Sequence, residues 1–290
     1  MHRRTQGAGR RGFCQQSPQT QYVCNGPSTR PIRCTHSHGT LVNLEEGIEQ
    51  SCNPYFWALY RDMLQQDGYE DGHVRFKEHY NDWREIVASF GLGEKFTNTD
   101  IREQAKGYLP TTEFYNRIYG QKGWKAITIR SLSIGQGEIL VTPLQLANQV
   151  AAIANKGYYI TPHFNRNDSM RSDVHTTLVD EKYFEVVHRG MARVMTEGTG
   201  RWYNIPELQI CGKTGTVQNP HGEDHALFIG FAPMDDPKIA VAVAVENAGF
   251  GATWACPMAT LVIEQYLTGE INRQALYDRM ASANLTNSAQ

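Results

Sequence analysis

The 290-residue sequence has no run approaching the roughly 18 continuous apolar residues of a membrane-spanning helix. It has almost no net charge. Lysines and arginines number 28 against 30 aspartates and glutamates, leaving -2, which excludes a global field that would recruit nucleic acid or another polyanion. The first dozen residues carry Arg3, Arg4, Arg10 and Arg11 with hardly an apolar side chain. Without an apolar h-region they are not a signal peptide. They also cannot bury enough surface to offset the entropy of ordering, so residues 1–16 read as a disordered basic tail. Familiar nucleophile and metal signatures are missing as well. No G-x-S-x-G elbow surrounds Ser131 or Ser133, because Ile129 and Ser131 stand where the first glycine belongs. His221 and His225 are four apart with Glu223 and Asp224 between them, but Asn219, Pro220 and Gly222 oppose a helix there and no acid follows the first histidine directly. That pair reads as a solvated hairpin loop, not a zinc-protease site. Six cysteines leave the redox compartment open. Cys24 and Cys34 with His36 and His38 offer four zinc ligands in a compact stretch, yet lack a C-x-x-C or H-x3-H pair. A local disulfide or free thiols in a surface loop is the favoured alternative, and neither a metal nor a cofactor is assigned.

What is present centres on Cys211-Gly212-Lys213-Thr214-Gly215-Thr216-Val217, small and hydroxyl residues around a lysine in a strand pattern. Lys213 supplies a point positive charge, Thr214 and Thr216 supply hydroxyl donors for an anionic ligand end, and Gly215 lets a ligand backbone lie close. Upstream, residues 18–39 are loop-forming. Asn43 caps a short helix carrying Glu45 and Glu46 in its first turn. Ser51-Cys52-Asn53 interrupts it, and Pro54 opens a second helix with Phe56, Leu59, Tyr60 and Met63 on one face. From the tripeptide alone, Ser51 and Asn53 read as a helix terminator and a cap. Residues 67–79, with His73 and His79, read as charged and mobile, and a helix is predicted over 82–90, closed by Gly91. Thr142 and Pro143 start another helix that ends at Gly157, and Asp180 is expected to cap one bearing Phe184, Val187, Met191, Val194 and Met195. Strands over 209–217, 226–232 and 238–245 are joined by short links and hence antiparallel. A helix over 253–267 follows, then a loose polar tail past Arg279.

Three motifs occur in order. Ser51-Cys52-Asn53 precedes Pro54-Tyr55-Phe56, Ser133-Ile134-Gly135-Gln136-Gly137-Glu138 leads to Thr142-Pro143-Leu144-Gln145-Leu146-Ala147, and Lys213-Thr214-Gly215-Thr216 is followed by Phe228-Ile229-Gly230-Phe231-Ala232-Pro233. Together they resemble the transpeptidase domain of class B penicillin-binding proteins, the elongation type above all, over about Ser17 to Leu267. The resemblance implies an α+β fold, an antiparallel sheet flanked by helices beside a mainly helical subdomain. A partial domain would occupy 17–270 and a C-terminal tail 271–290. It also implies a serine-type peptidoglycan D,D-transpeptidase working through an acyl-enzyme. Ser51 would belong to the proton relay, Asn53 would hydrogen-bond the substrate amide, and Lys213 would set the positive potential and help the relay. Thr214 and Thr216 would bind the terminal carboxylate, and the Thr216 N–H would donate to the oxyanion beside Gly215. The implied ligands are a peptidoglycan stem peptide and β-lactams, the implied partner a membrane glycosyltransferase, and the implied location the periplasmic face of a bacterial inner membrane. No nucleic acid and no cofactor is implied.

One family element is missing. No serine in the sequence has a lysine three residues on, so there is no S-x-x-K nucleophile motif. The expectation is a chain truncated ahead of its nucleophile and anchor, unable to acylate alone and with an apolar interface exposed. The other reading is a non-catalytic relative serving as a binding or scaffold protein.

Overall fold

The computed structural model describes residues 17–66, 72–165 and 173–285. The expected basic tail over 1–16 lies outside them. The described chain opens on a short antiparallel pair, β1 (Tyr22–Val23) and β2 (Leu41–Val42). Next, α1 (Leu44–Glu49) starts on a complete capping box, in which the Asn43 side chain accepts from the Glu46 amide and the Glu46 carboxylate accepts from the Asn43 amide. Then α2 (Asn53–Leu64) begins after only three residues, with Pro54 in its first turn. Neither Ser51 nor Asn53 caps it. Cys52 holds the N-cap position without a side-chain bond, and Ser51 sits at φ 51, a left-handed conformation that costs a serine about 1–2 kcal/mol. The capping reading of this tripeptide therefore gives way to a strained turn.

The helix predicted over 82–90 is longer. As α3 (Gly72–Ala88) it runs through much of the segment expected to be mobile. Its inward stripe is carried by buried Phe76 and Tyr80 and partly buried Trp83 at helical spacing among charged residues, and these aromatics pack toward α2. With α4 (Thr112–Tyr119) they close an aromatic core that includes Trp57, Tyr60, Tyr115 and Trp124. Tyr80 and Trp124 meet edge to face, centroids 5.3 Å apart. This is the mainly helical half. A second capping box, Thr142 with Gln145, starts α5 (Pro143–Ala154), which crosses to the sheet.

Strands β3 (Tyr158–Ile160) and β4 (Val174–Thr176) form an antiparallel pair. Asp180 does not cap the helix after it, because a 3-10 turn over Glu181–Tyr183 intervenes and Asp180 pairs with Lys182. That helix is α6 (Phe184–Thr196). Gln209, at φ 46, turns the chain into β5 (Cys211–Val217), so the strand starts two residues later than expected. β5 pairs antiparallel with β6 (His225–Ala232), and β6 with β7 (Ile239–Val245). Finally α7 (Ala255–Thr268) ends at Gly269, and α8 (Gln274–Ser282) follows. The tail expected to be loose past Arg279 is thus helical to Ser282. Arg273 anchors it by donating to the Glu264 carboxylate at 2.9 Å, and Arg279 by donating to the Tyr203 hydroxyl at 3.1 Å.

The main core lies around the sheet. Val150 and Ala154 of α5, Met191, Val194 and Met195 of α6, and Ala259 and Ile263 of α7 close on Phe228 and Phe231 of β6. The result is the expected α+β arrangement of an antiparallel sheet flanked by helices beside a helical half. Among the described residues no helix is long and apolar enough to cross a membrane.

Candidate active site

The α1–α2 turn and the β5 strand meet at one hydrogen bond. Lys213 Nζ donates to Ser51 Oγ at 2.7 Å and to the Thr214 carbonyl at 2.8 Å. Desolvation lowers the Lys213 pKa from 10.5 to about 8. An ammonium so tuned can give up and regain a proton near neutral pH, as a relay group must. Several contacts fix the serine. The Cys52 amide donates to the Gly47 carbonyl at 2.9 Å, which bends the chain after Ser51. Two residues before it, Glu49 is buried and ion-pairs with Arg193 of α6 at 2.6 Å. The loop after α6 presses on the same point, and a Cβ on Gly198 would lie 2.4 Å from the Glu49 carbonyl oxygen. The ends of α1 and α6 are therefore locked together beside β5.

The rest of the strand is less open than its hydroxyls suggest. Thr214 is buried, and its Oγ1 lies 2.6 Å from Thr199 Oγ1. Thr216 Oγ1 accepts from the Gly251 N–H at 3.4 Å, and the Thr216 carbonyl accepts from Gln136 Nε2 at 3.3 Å. Gly251 must be glycine here, since a Cβ would come within 2.1 Å of the Gly215 carbonyl oxygen. Asn53 Nδ2 donates to the Arg33 carbonyl at 3.3 Å. The structure thus joins Ser51 to Lys213, keeps Gly215 and Thr216 partly exposed, turns Thr214 toward Thr199, and engages the Asn53 amide with the preceding loop. Thr199 escaped sequence reasoning, and Gln136 entered it only as one residue of the Ser133–Glu138 motif. Each is a polar residue between two glycines, Gly198 and Gly200 or Gly135 and Gly137, a pattern that could have flagged them. The Glu49–Arg193 pair had no such sign. His221 lies in the β5–β6 connection as expected, while His225 opens β6 and accepts from the Asn247 amide at 3.0 Å.

Against the back of the Ser51 turn stands a second cluster. Ligand atoms of Cys24, Cys34, His38 and Cys52 all lie within 4.8 Å of one another. His38 Nε2 is 3.5 Å from Cys24 Sγ and 3.3 Å from Cys34 Sγ, and its Nδ1 is 2.9 Å from the Gly39 carbonyl oxygen, which orients the ring. Three sulfurs and an imidazole are a zinc donor set, and tetrahedral Zn–S bonds of about 2.3 Å need ligand atoms about 3.8 Å apart. A small contraction suffices. The structure revises the sequence-based ligand set. His36 turns to Gln50 Oε1 at 3.3 Å, and Cys52, the middle residue of Ser-x-Asn, takes its place. Hydrogen bonding between the two thiols lowers the pKa of Cys34, and the same contact, with burial, raises that of Cys52.

Among the described residues, the lysine of a K-T-G run on an outer strand of an antiparallel sheet is bonded to the serine of an S-x-N run at a helix break. The penicillin binding protein transpeptidase domain matches residues 15–264, and the chain belongs to that family. The peptidoglycan D,D-transpeptidase MrdA of Acinetobacter baumannii is 33% identical over 255 residues, covering 79% of this chain and 35% of that protein. The Escherichia coli K12 protein of the same name is 26% identical over 267 residues, covering 81% and 38%. Among solved structures, Pseudomonas aeruginosa PBP2 in complex with WCK 5153 has a TM-score of 0.67 at 29% identity, over 89% of this chain and 58% of that one. Helicobacter pylori PBP2, in complex with MreC, shares the fold at a TM-score of 0.68 and 20% identity, over 88% and 46%. Within the family the likeness is to the penicillin-binding protein 2 type, and the chain spans little more than a third of these curated relatives' length.

Proposed function

We propose that the chain forms the Ser-x-Asn and Lys-Thr-Gly wall of a peptidoglycan D,D-transpeptidase that cross-links cell wall during elongation. The observation that carries this is the 2.7 Å hydrogen bond from Lys213 to Ser51, made by a lysine whose charge desolvation weakens. In this reading a serine outside these residues attacks the penultimate D-alanine carbonyl of a stem peptide. An ester forms and D-alanine leaves, and an amine of a neighbouring strand then takes the acyl group. Ser51 and Lys213 move the proton between nucleophile and leaving amine. Thr216, beside Gly215, receives the terminal carboxylate and donates its N–H to the oxyanion, a contact of the kind worth about 3 kcal/mol of barrier. Thr214, held by Thr199, fixes the strand, and Asn53 reaches the substrate amide once it leaves Arg33. β-Lactams are the corresponding inhibitors, the partner is a membrane glycosyltransferase, and the site works on the periplasmic face of the inner membrane. Cys24, Cys34, His38 and Cys52 hold a structural zinc that stiffens the Ser51 turn.

Fluorescent penicillin tests the reading. No covalent label is expected on the 290-residue chain, since it has no S-x-x-K serine. A gene product extended to an S-x-x-K should be labelled, and Lys213→Ala should abolish that labelling. A stable adduct on the 290-residue chain by intact mass contradicts the division of the site. An extended product without S-x-x-K replaces the enzyme with the non-catalytic scaffold.

A further inference from the structure

Gln136 makes one contact that the proposed reaction cannot leave in place. Its Nε2 donates to the Thr216 carbonyl at 3.3 Å, across 80 positions of sequence. Along an antiparallel strand, residues alternate between those that exchange both backbone bonds with the partner strand and those that turn both groups away from it. The Thr214 carbonyl accepts from Lys213 Nζ, which also reaches Ser51, and the Thr216 carbonyl accepts from Gln136. These two residues, two apart and both served by side-chain donors, therefore turn toward the Ser51 side of β5 and not toward β6. The Thr216 N–H faces the same side as its carbonyl.

In the transpeptidase reading, on which this inference rests, that N–H receives the carbonyl oxygen of the penultimate D-alanine. The N–H and C=O of one residue in an extended peptide point the same way, so the N–H of that D-alanine comes to the Thr216 carbonyl and the two residues exchange both bonds. The place it must take is the one Gln136 Nε2 holds. Gln136 is built to yield it. Its bond, at 3.3 Å, lies beyond the usual N–H···O range of about 2.7–3.2 Å. Its backbone is held separately, since the Gln136 N–H donates to the Ser131 carbonyl at 3.0 Å between Gly135 at φ 72 and Gly137 at φ 83. On either side, Leu132 is buried in the aromatic core and the Glu138 carboxylate accepts from the Tyr115 hydroxyl at 2.9 Å. The loop thus keeps its place when the side chain swings away.

We propose that Gln136 is a stand-in for the substrate's backbone: its side-chain amide keeps the Thr216 carbonyl satisfied until the N–H of the penultimate D-alanine replaces it. The residue thereby sets specificity. A ligand with a donor beside its reacting carbonyl makes the exchange bond for bond, whereas one without it breaks the Gln136 bond and leaves the Thr216 carbonyl unpaired.

Amide NMR of the 290-residue chain titrated with a peptide ending in D-alanyl-D-alanine tests the exchange directly. The Gln136 side-chain NH2 signals should move in step with the Thr216 amide and, at saturation, take the positions of a solvent-exposed glutamine. Gln136→Met and Gln136→Ala each remove the donor that the peptide displaces. Each should bind the peptide about fivefold tighter, the worth of one ordinary hydrogen bond, with the far-UV circular dichroism unchanged. An analogue with an ester oxygen in place of the penultimate N–H should bind the wild-type chain about tenfold more weakly, and equal binding overturns the claim of specificity. A peptide that shifts Gly215 and Thr216 but leaves the Gln136 NH2 signals in place overturns the proposal and spares the transpeptidase reading. Unchanged or weaker binding by both variants does the same. A peptide that shifts no part of β5 overturns both.

Discussion

Replacing Lys213 by methionine separates the energetics of its charge from its packing. A pKa lowered from 10.5 to about 8 by desolvation corresponds to about 3 kcal/mol that the folded protein loses while this lysine is charged. Below pH 8 both folded and unfolded chains carry the proton, so the whole penalty stands. Between 8 and 10.5 the folded chain has released its proton and the unfolded chain has not. Stability therefore climbs through that window by up to about 1.4 kcal/mol per pH unit. Methionine keeps the apolar stem and removes the charge, at the expense of the donations to Ser51 Oγ and the Thr214 carbonyl, about 1 kcal/mol each. Near neutral pH Lys213→Met should thus be the more stable protein by about 1 kcal/mol, and its advantage should vanish within about one pH unit above the folded pKa. Urea unfolding followed at a series of pH values reads both quantities. Parallel stability–pH curves for the two proteins would refute the desolvated lysine.

The cluster behind the same turn should retain about one zinc per chain, measured by mass spectrometry of the metal. Cys24→Ser or Cys52→Ser should remove it and lower the melting temperature, whereas His36→Ala should leave the stoichiometry intact. Glu49→Gln leaves Arg193 only the more distant, exposed Glu197 carboxylate and should cost about 2 kcal/mol in denaturant unfolding, less than a fully buried pair because Arg193 is partly exposed. Gly198→Ala drives a methyl against the Glu49 carbonyl and the Val194 backbone, so a large loss of melting temperature is expected. Thr199→Val removes the partner of the buried Thr214 hydroxyl and should cost about 1 kcal/mol of stability.

Features governed by neighbours in sequence were legible from the sequence. The capping residues Asn43 and Thr142 lie three positions from Glu46 and Gln145, and the structure makes both boxes complete. The three strands around Lys213 announced themselves by alternation and short links, and they pair antiparallel. Long-range geometry was not legible. Ser51 and Lys213 are 162 positions apart, and no spacing rule joins them; only the order of the family's motifs put them in one site. Local propensity also misled at the turn itself, because Ser51 and Asn53 suit helix caps, yet tertiary contacts from Glu49 and Cys52 hold a left-handed serine instead. The early start of α3 was hidden because its stripe consists of three aromatics among charges. Cys52 looked like one more buried thiol until the fold brought it against Cys24, Cys34 and His38.

The wall formed by Ser51 and Lys213 is tested most directly by amide NMR of the 290-residue chain titrated with a peptide ending in D-alanyl-D-alanine. Saturable shifts are expected at the Gly215 and Thr216 amides, and these should disappear in Lys213→Met while its fold persists. Shifts that spare β5, or that survive the loss of Lys213, would contradict the assignment of this strand as the carboxylate-binding wall of a transpeptidase cleft.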